Sequence, residues 1–234
     1  MITSKTNNLA DCDFTEGQVI LMDKENGFSS FSVVKKIRGI TKVKKVGHAG
    51  TLDPSATGLL IVCTGKKTKE ISHYQDLGKT YSGTITLGVR TESMDGESNV
   101  IEEKNVDHIT ESMIFEKIEK FRGEITQVPP MYSALKHKGK ALYKYARKGV
   151  EIERAPRKVT VYDFVLTEIK IPEIKFVLNC SKGTYVRVIA DDLGNELGCG
   201  AFLSSLRREK IGDYSVEDAL NVTEFELLYK RNTN

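Results

Sequence analysis

The 234-residue chain contains no tryptophan and only five prolines. No apolar run approaches the roughly 18 to 20 residues that a membrane-spanning helix needs. The opening stretch MITSKTNNLADCDFTEG is polar and lacks the apolar centre of a secretory signal. A cytoplasmic protein without membrane attachment is the expectation. Cysteine is scarce: Cys12, Cys63, Cys180 and Cys199 are scattered, with no CxxC pair. They read as buried thiols rather than disulfides. The histidines, His48, His73, His108 and His137, lie far from the cysteines and from each other. Zinc ligands usually come in close pairs, so no metal site is expected. The chain also has no phosphate-binding GxxxxGK[ST] loop, no GxSxG elbow and no HExxH.

The 39% apolar and 29% charged residues are ordinary for a globular protein. A chain of this length fits one large domain or two small ones and can bury a core without staples. Net charge is only +3, but the charge is sorted along the chain. Lys35, Lys36, Arg38, Lys42, Lys44 and Lys45 fall in one stretch with no acid among them. Residues 136–158 hold nine basic residues against Glu151 and Glu153, and residues 92–117 hold eight acids against Lys104 and Lys117. Such sorting gives either one strongly positive face or simply solvated helix surfaces.

Residues 1–16, rich in Asn, Thr and Asp, read as a disordered tail. Strands are expected at 17–23, 58–65, 80–91, 159–170, 174–181 and 203–214, the fourth and fifth forming a hairpin turned at Ile171 and Pro172. The pattern predicts a helix capped at Ser29 or Ser30 with Val33, Val34, Ile37 and Ile40 on one face. Further helices are expected over the KKTKEISHYQDL stretch, 109–121, 140–148 and from Val186 to Leu197. The mixture lacks strict alternation, which implies a mixed α/β, α+β domain over 17–234 on a mostly antiparallel sheet.

The stretch Gly47-His48-Ala49-Gly50-Thr51-Leu52-Asp53-Pro54 carries the densest chemistry. Two glycines allow unusual backbone angles and close approach of a large ligand. Pro54 stiffens the chain beyond Asp53. An aspartate placed there is either catalytic or the cap of a turn. Farther on, Tyr185 and Arg187 open a helix two residues apart, so they need not share a face. They suit base stacking and carboxylate pairing, or a buried tyrosine and a surface ion pair.

Taken in order, GHAGTLDPSATGLL, the Lys69 of GKKTK, Tyr81 in GKTYSG, VPPMYSALKHKGKALYKYARKG, CSKGTYVRVIADDLG and FLSSLRR resemble the TruB-type tRNA pseudouridine synthases. The resemblance spans about residues 17–215. It implies the pseudouridine synthase fold and an enzyme that isomerises uridine to pseudouridine at nucleotide position 55, in the T loop of tRNA. Under it, Asp53 is the catalytic aspartate, Tyr81 the tyrosine stacked on the target base, and Arg187 the arginine paired with the aspartate. His48, Tyr185 and Leu206 match positions lining the uridine pocket, Lys69 a lysine near the phosphate path, and Lys24 part of the family's first motif. The segment at about 128–153 matches an insertion that clamps the RNA stem-loop and is expected to be poorly ordered without it. No cofactor is implied, because the reaction needs no redox step and no group donor. The expected partner is the tRNA T stem-loop, bound by a monomer.

Two departures stand out. Glu25 occupies the place where the family usually has proline. The chain also reads as a short form without the C-terminal PUA domain of longer relatives. Two competing readings are a guide-RNA-dependent synthase of the dyskerin type and a non-catalytic RNA-binding or tRNA-folding protein. The inserted segment disfavours the first, and an intact Asp53, Tyr81 and Arg187 disfavour the second.

Overall fold

The apolar runs Val-Ile-Leu-Met and Leu-Leu-Ile-Val-Cys are buried along their whole length, so each feeds two cores, one on either face of its strand. In the computed structural model, which describes residues 1–233, the chain runs through β1 (Val19–Lys24), α1 (Ser30–Thr41), β2 (Val46–His48), β3 (Thr57–Thr64) and α2 (Ile71–Asp76). It continues through β4 (Lys79–Leu87), β5 (Val89–Thr91), β6 (Val100–Glu103), α3 (Glu111–Ile118) and β7 (Gly123–Gln127). Next come β8 (Lys136–His137), β9 (Lys140–Ala141), α4 (Tyr143–Ala146), β10 (Arg157–Lys170) and β11 (Glu173–Cys180). The remaining elements are α5 (Val186–Glu196), β12 (Ala201–Ile211), β13 (Tyr214–Ser215) and α6 (Val222–Thr233). The fold is mixed α and β on a mostly antiparallel sheet, as the pattern predicts. No helix is long and apolar enough to cross a membrane among the described residues.

Contacts divide the chain into two units: Met1–Tyr81 with Arg207–Asn234, and Ser82–Leu206. In the first, β1 and β2 pair antiparallel with β3, and β3 pairs parallel with β12 through Arg207↔Thr57 and Arg208↔Gly58. Alternate residues of β1 and β3 face opposite ways. Ile20, Met22, Leu60 and Val62 join Val33, Val34 and Ile37 of α1 and Phe225 of α6 in one core. Val19, Leu21, Leu59, Ile61 and Cys63 join Tyr74 of α2 and Ile211 in the other. Burial pushes the Cys63 thiol up to about 12, as suits an inert buried residue.

In the second unit the strands run β12-β4-β11-β10-β7. The β10–β11 hairpin alternates cleanly, with Ile174, Phe176, Leu178 and Cys180 buried between exposed neighbours. Phe164 and Phe176 meet edge to face at 5.5 Å. Helix α5 lies tight against the start of β12, where a Cβ on Gly194 would sit 2.1 Å from the Ala201 nitrogen. Only glycine fits there.

Three expectations are corrected. Residues 1–16 are not a loose tail: Ile2 bridges Ile20, and Ile2, Leu9 and Phe14 are buried in the core with α1 and α6. Three well-spaced apolar residues outweigh the polar composition, because burying each one stabilises by a few kcal/mol. The basic helix expected at 140–148 shrinks to the single turn α4, since Lys138 and Gly139 take positive φ in the β8–β9 hairpin. Helix α6 was not anticipated, although its capping box was legible. Asn221 accepts from Glu224 N at 2.9 Å, and the Glu224 carboxylate accepts from Asn221 N at 2.8 Å.

Candidate active site

The loop joining β2 to β3 is fixed along its length in the first unit. Ser30, the buried first residue of α1, donates its hydroxyl to Leu52 O at 3.0 Å and accepts from Leu52 N at 2.8 Å. Gly58 has φ +102°, and a Cβ there would lie 2.3 Å from Arg208 O, so glycine is what allows β3 to approach β12. That approach brings in Arg208, 1% exposed. Its guanidinium donates to Leu59 O (2.7 Å), Gly50 O (3.2 Å) and Thr51 O (3.5 Å).

From the other side Lys24, fully buried, donates to Phe28 O (2.6 Å), Glu25 O (3.1 Å) and Pro54 O (3.1 Å). Gly27 N reaches Pro54 O at 2.9 Å. Asp53 sits half-buried at the centre, its carbonyl accepting from Ala56 N at 3.1 Å. Anchors on both sides hold the backbone at a half-buried aspartate. This is the preorganisation a charged catalytic group requires.

The other expected residues of this unit have distinct placements. His48 lies on β2 opposite Val62. Burial, first, and the Arg208 charge hold its imidazole below the ordinary range, against a backbone hydrogen bond with Gly50. Tyr81 is buried in β4. Lys69 is exposed on the short 3₁₀ turn Gly65–Glu70. Lys24, part of the family's first motif under the resemblance, holds the backbone of the Asp53 loop through Pro54 O. Sequence reasoning missed Ser30 and Arg208 as supports. Arg208 was visible only as one letter of FLSSLRR, and Ser30 only as a helix cap; Ser29 takes that role, accepting from Ser32 N at 3.0 Å.

In the second unit Arg187 is buried on the first turn of α5. It donates to Asp95 Oδ2 at 2.8 Å and to Tyr132 O at 2.5 Å. Asp95, also buried, accepts on its other oxygen from Ser93 Oγ (2.5 Å) and Glu97 N (3.0 Å). Asp95, the buried partner of Arg187, was not revealed by the sequence, hidden among the acids of 92–117. Tyr185 does share an environment with Arg187: the guanidinium lies 5.8 Å from its ring, and that of Arg157 lies 4.7 Å away. Leu206 is half-buried in β12.

The fold and the aspartate loop define the class, that of the pseudouridine synthases. A chain of the solved Cbf5-Nop10-Gar1 complex is similar at 30% identity and TM-score 0.68, over 88% of this chain and 52% of that one. A chain of an H/ACA RNP bound to a substrate RNA containing 2'-deoxyuridine shares the fold at 24% identity and TM-score 0.68, over 97% and 59%. This chain thus spans half to three fifths of those solved chains. The family model for TruB family pseudouridylate synthase (N terminal domain) matches residues 38–186, and that for the tRNA pseudouridylate synthase B C-terminal domain matches 187–234. Similar curated proteins, each called tRNA pseudouridine synthase B, come from Flavobacterium johnsoniae and Chloroherpeton thalassium. The first is 47% identical over 92% of this chain and 96% of its own length, the second 48% over 92% and 91%. The chain belongs to the TruB family of pseudouridylate synthases.

Proposed function

We propose that this protein isomerises uridine to pseudouridine in tRNA, at nucleotide position 55 of the T loop, using Asp53 as the essential carboxylate. The observation that carries the reading is the Asp53 loop, clamped by Ser30, Lys24 and Arg208 around a half-buried aspartate. The reaction breaks the C1′–N1 bond, rotates the uracil and forms C1′–C5; C5 gives up a proton and N1 gains one. Nothing is oxidised, and no group donor is consumed. A carboxylate with a reference pKa of about 3.9 is ionised at neutral pH and can attack or stabilise positive charge at the sugar.

The target uridine leaves its stack first, at a cost of a few kcal/mol. Stacking on Tyr81 offsets part of that cost, and the pocket is completed by His48, Tyr185 and Leu206. Arg187 orients the carboxylate, and Lys69 and the basic stretches meet phosphates. Residues 128–153 close over the stem-loop as a clamp. The protein acts in the cytoplasm as a monomer and without cofactor.

Two relatives named for tRNA match this chain over 96% and 91% of their own length and others over about 70%, whereas the similar chain of the Cbf5-Nop10-Gar1 complex is matched over 52%. That favours action on tRNA without a guide RNA. The test is Asp53→Asn: product formation is expected to fall at least about 10²- to 10⁴-fold with tRNA affinity kept. Undiminished pseudouridine from that variant would sink the reading.

A further inference from the structure

Gln127, the last residue of β7, is 1% exposed, and its side-chain amide is spent on one target. Its Nε2 donates to Tyr185 O at 3.1 Å, and its Oε1 accepts from Tyr185 N at 3.0 Å. The amide thus replaces a missing strand partner for the residue that caps α5. The β7–β10 register pairs Gln127 with Arg157, whose guanidinium lies over the Tyr185 ring and donates to Gly183 O. Two paired residues therefore grip the same tyrosine, one by its backbone and one by its ring.

Five residues beyond Gln127, the carbonyl of Tyr132 accepts from Arg187. The root of the 128–153 segment is hydrogen-bonded to the first turn of α5 at both points. The bonds reach Tyr185 and Arg187 themselves.

We propose that Gln127 is the positioning residue for Tyr185 and Arg187, and that through it the placing of the 128–153 segment on RNA is transmitted to the start of α5. The inference rests on the reaction proposed above. An amide is required because one group must donate to the carbonyl and accept from the N–H of the same residue. Methionine cannot donate and accepts only weakly. Ionised glutamate accepts but repels the carbonyl, whereas protonated glutamate restores both bonds.

Single-turnover pseudouridine formation on a T-arm RNA, beside the RNA dissociation constant, tests this. Gln127→Met is expected to lower the rate constant about tenfold to a hundredfold, with affinity changed less than about threefold. Gln127→Glu, compared with wild type at each pH, is expected to regain rate as pH falls from about 8 to about 6, because burial beside a carbonyl favours the neutral acid. Amide hydrogen exchange in the free Gln127→Met protein is expected to quicken both at 128–135 and at 185–190. A wild-type rate in Gln127→Met, a Gln127→Glu ratio flat with pH, or loosening of one segment alone would overturn the proposal. An inactive wild-type protein would instead defeat the assignment of the reaction itself.

Discussion

Arg187 and Asp95 form an ion pair with Nη1–Oδ2 2.8 Å apart, each side chain 6% exposed. Removing one partner of such a buried pair is strongly destabilising, at a cost of about 3 to 5 kcal/mol. Asp95→Ala is expected to destabilise the protein by that order in urea unfolding. Asp95→Asn, which keeps the volume and the bond from Ser93, is expected to unfold less easily than Asp95→Ala and still to lose activity. Equal stability of Asp95→Ala and wild type would show that the pair does not hold Arg187.

Ser30 makes both of its bonds to Leu52, the residue before Asp53. Ser30→Ala leaves a buried N–H and a buried carbonyl unpaired and is expected to cost about 1 to 3 kcal/mol. Pseudouridine formation should fall mainly in kcat, because the Asp53 backbone slackens while RNA contacts are untouched. A loss confined to KM would contradict this.

Arg208 supplies three donors to the carbonyls of Gly50, Thr51 and Leu59. A lysine ammonium has no planar fork to reach all three. Arg208→Lys is expected to lower both the melting temperature and kcat, with a stability loss of about 2 kcal/mol or more. Unchanged thermal unfolding would refute the bracing role.

Deleting residues 1–16 removes Ile2, Leu9 and Phe14 from the core. At about 1.5 to 3 kcal/mol for each buried side chain, and less where the unfolded chain is compact, the truncation should forfeit most of the stability of an ordinary domain. Phe14→Ala alone is expected to cost about 3 to 5 kcal/mol, since its ring packs edge-on against Phe225 and Tyr229. Cooperative unfolding of the truncated protein near the wild-type midpoint would show the segment to be dispensable.

Asp192 on α5 titrates at about 6, raised by burial first and then by Asp191 and Glu196. The folded state favours its neutral acid, so the benefit is full below the unfolded value near 4 and is lost as pH rises through about 6. Asp192→Asn should therefore be more stable than wild type at about pH 8 by about 1 to 2 kcal/mol, with the difference vanishing by about pH 4. A constant difference across that range would rule out titration of this carboxyl.

Much of the molecule was legible along the chain. The runs GQVILMD and GLLIVCTG read as buried strands because both faces of β1 and β3 meet cores. The hairpin at Ile171-Pro172 and the helices at Ser30 and Val186 follow from local periodicity, the first helix also from the Ser29 cap. What failed was governed by distance in sequence. Polar composition predicted a loose N-terminus because the partners of Ile2, Leu9 and Phe14 lie in β1, α1 and α6. The burial of Lys24 was not legible either, because a lysine is rarely buried. Only the fold reveals the three carbonyls that satisfy its ammonium.

The order of motifs by itself determined the family, the aspartate loop and the kinds of side chain available to the chemistry. Those properties are local: a glycine that frees a turn, a proline that stiffens it, an apolar period that chooses strand or helix. The tertiary structure alone decided which groups hold those residues in place: Ser30 and Arg208 on the Asp53 loop, Asp95 on Arg187, Gln127 on Tyr185. Each support is a hydrogen bond between residues tens to more than a hundred positions apart, buried where water cannot replace the partner. Such a bond takes its energy from an environment that exists only once the chain has folded.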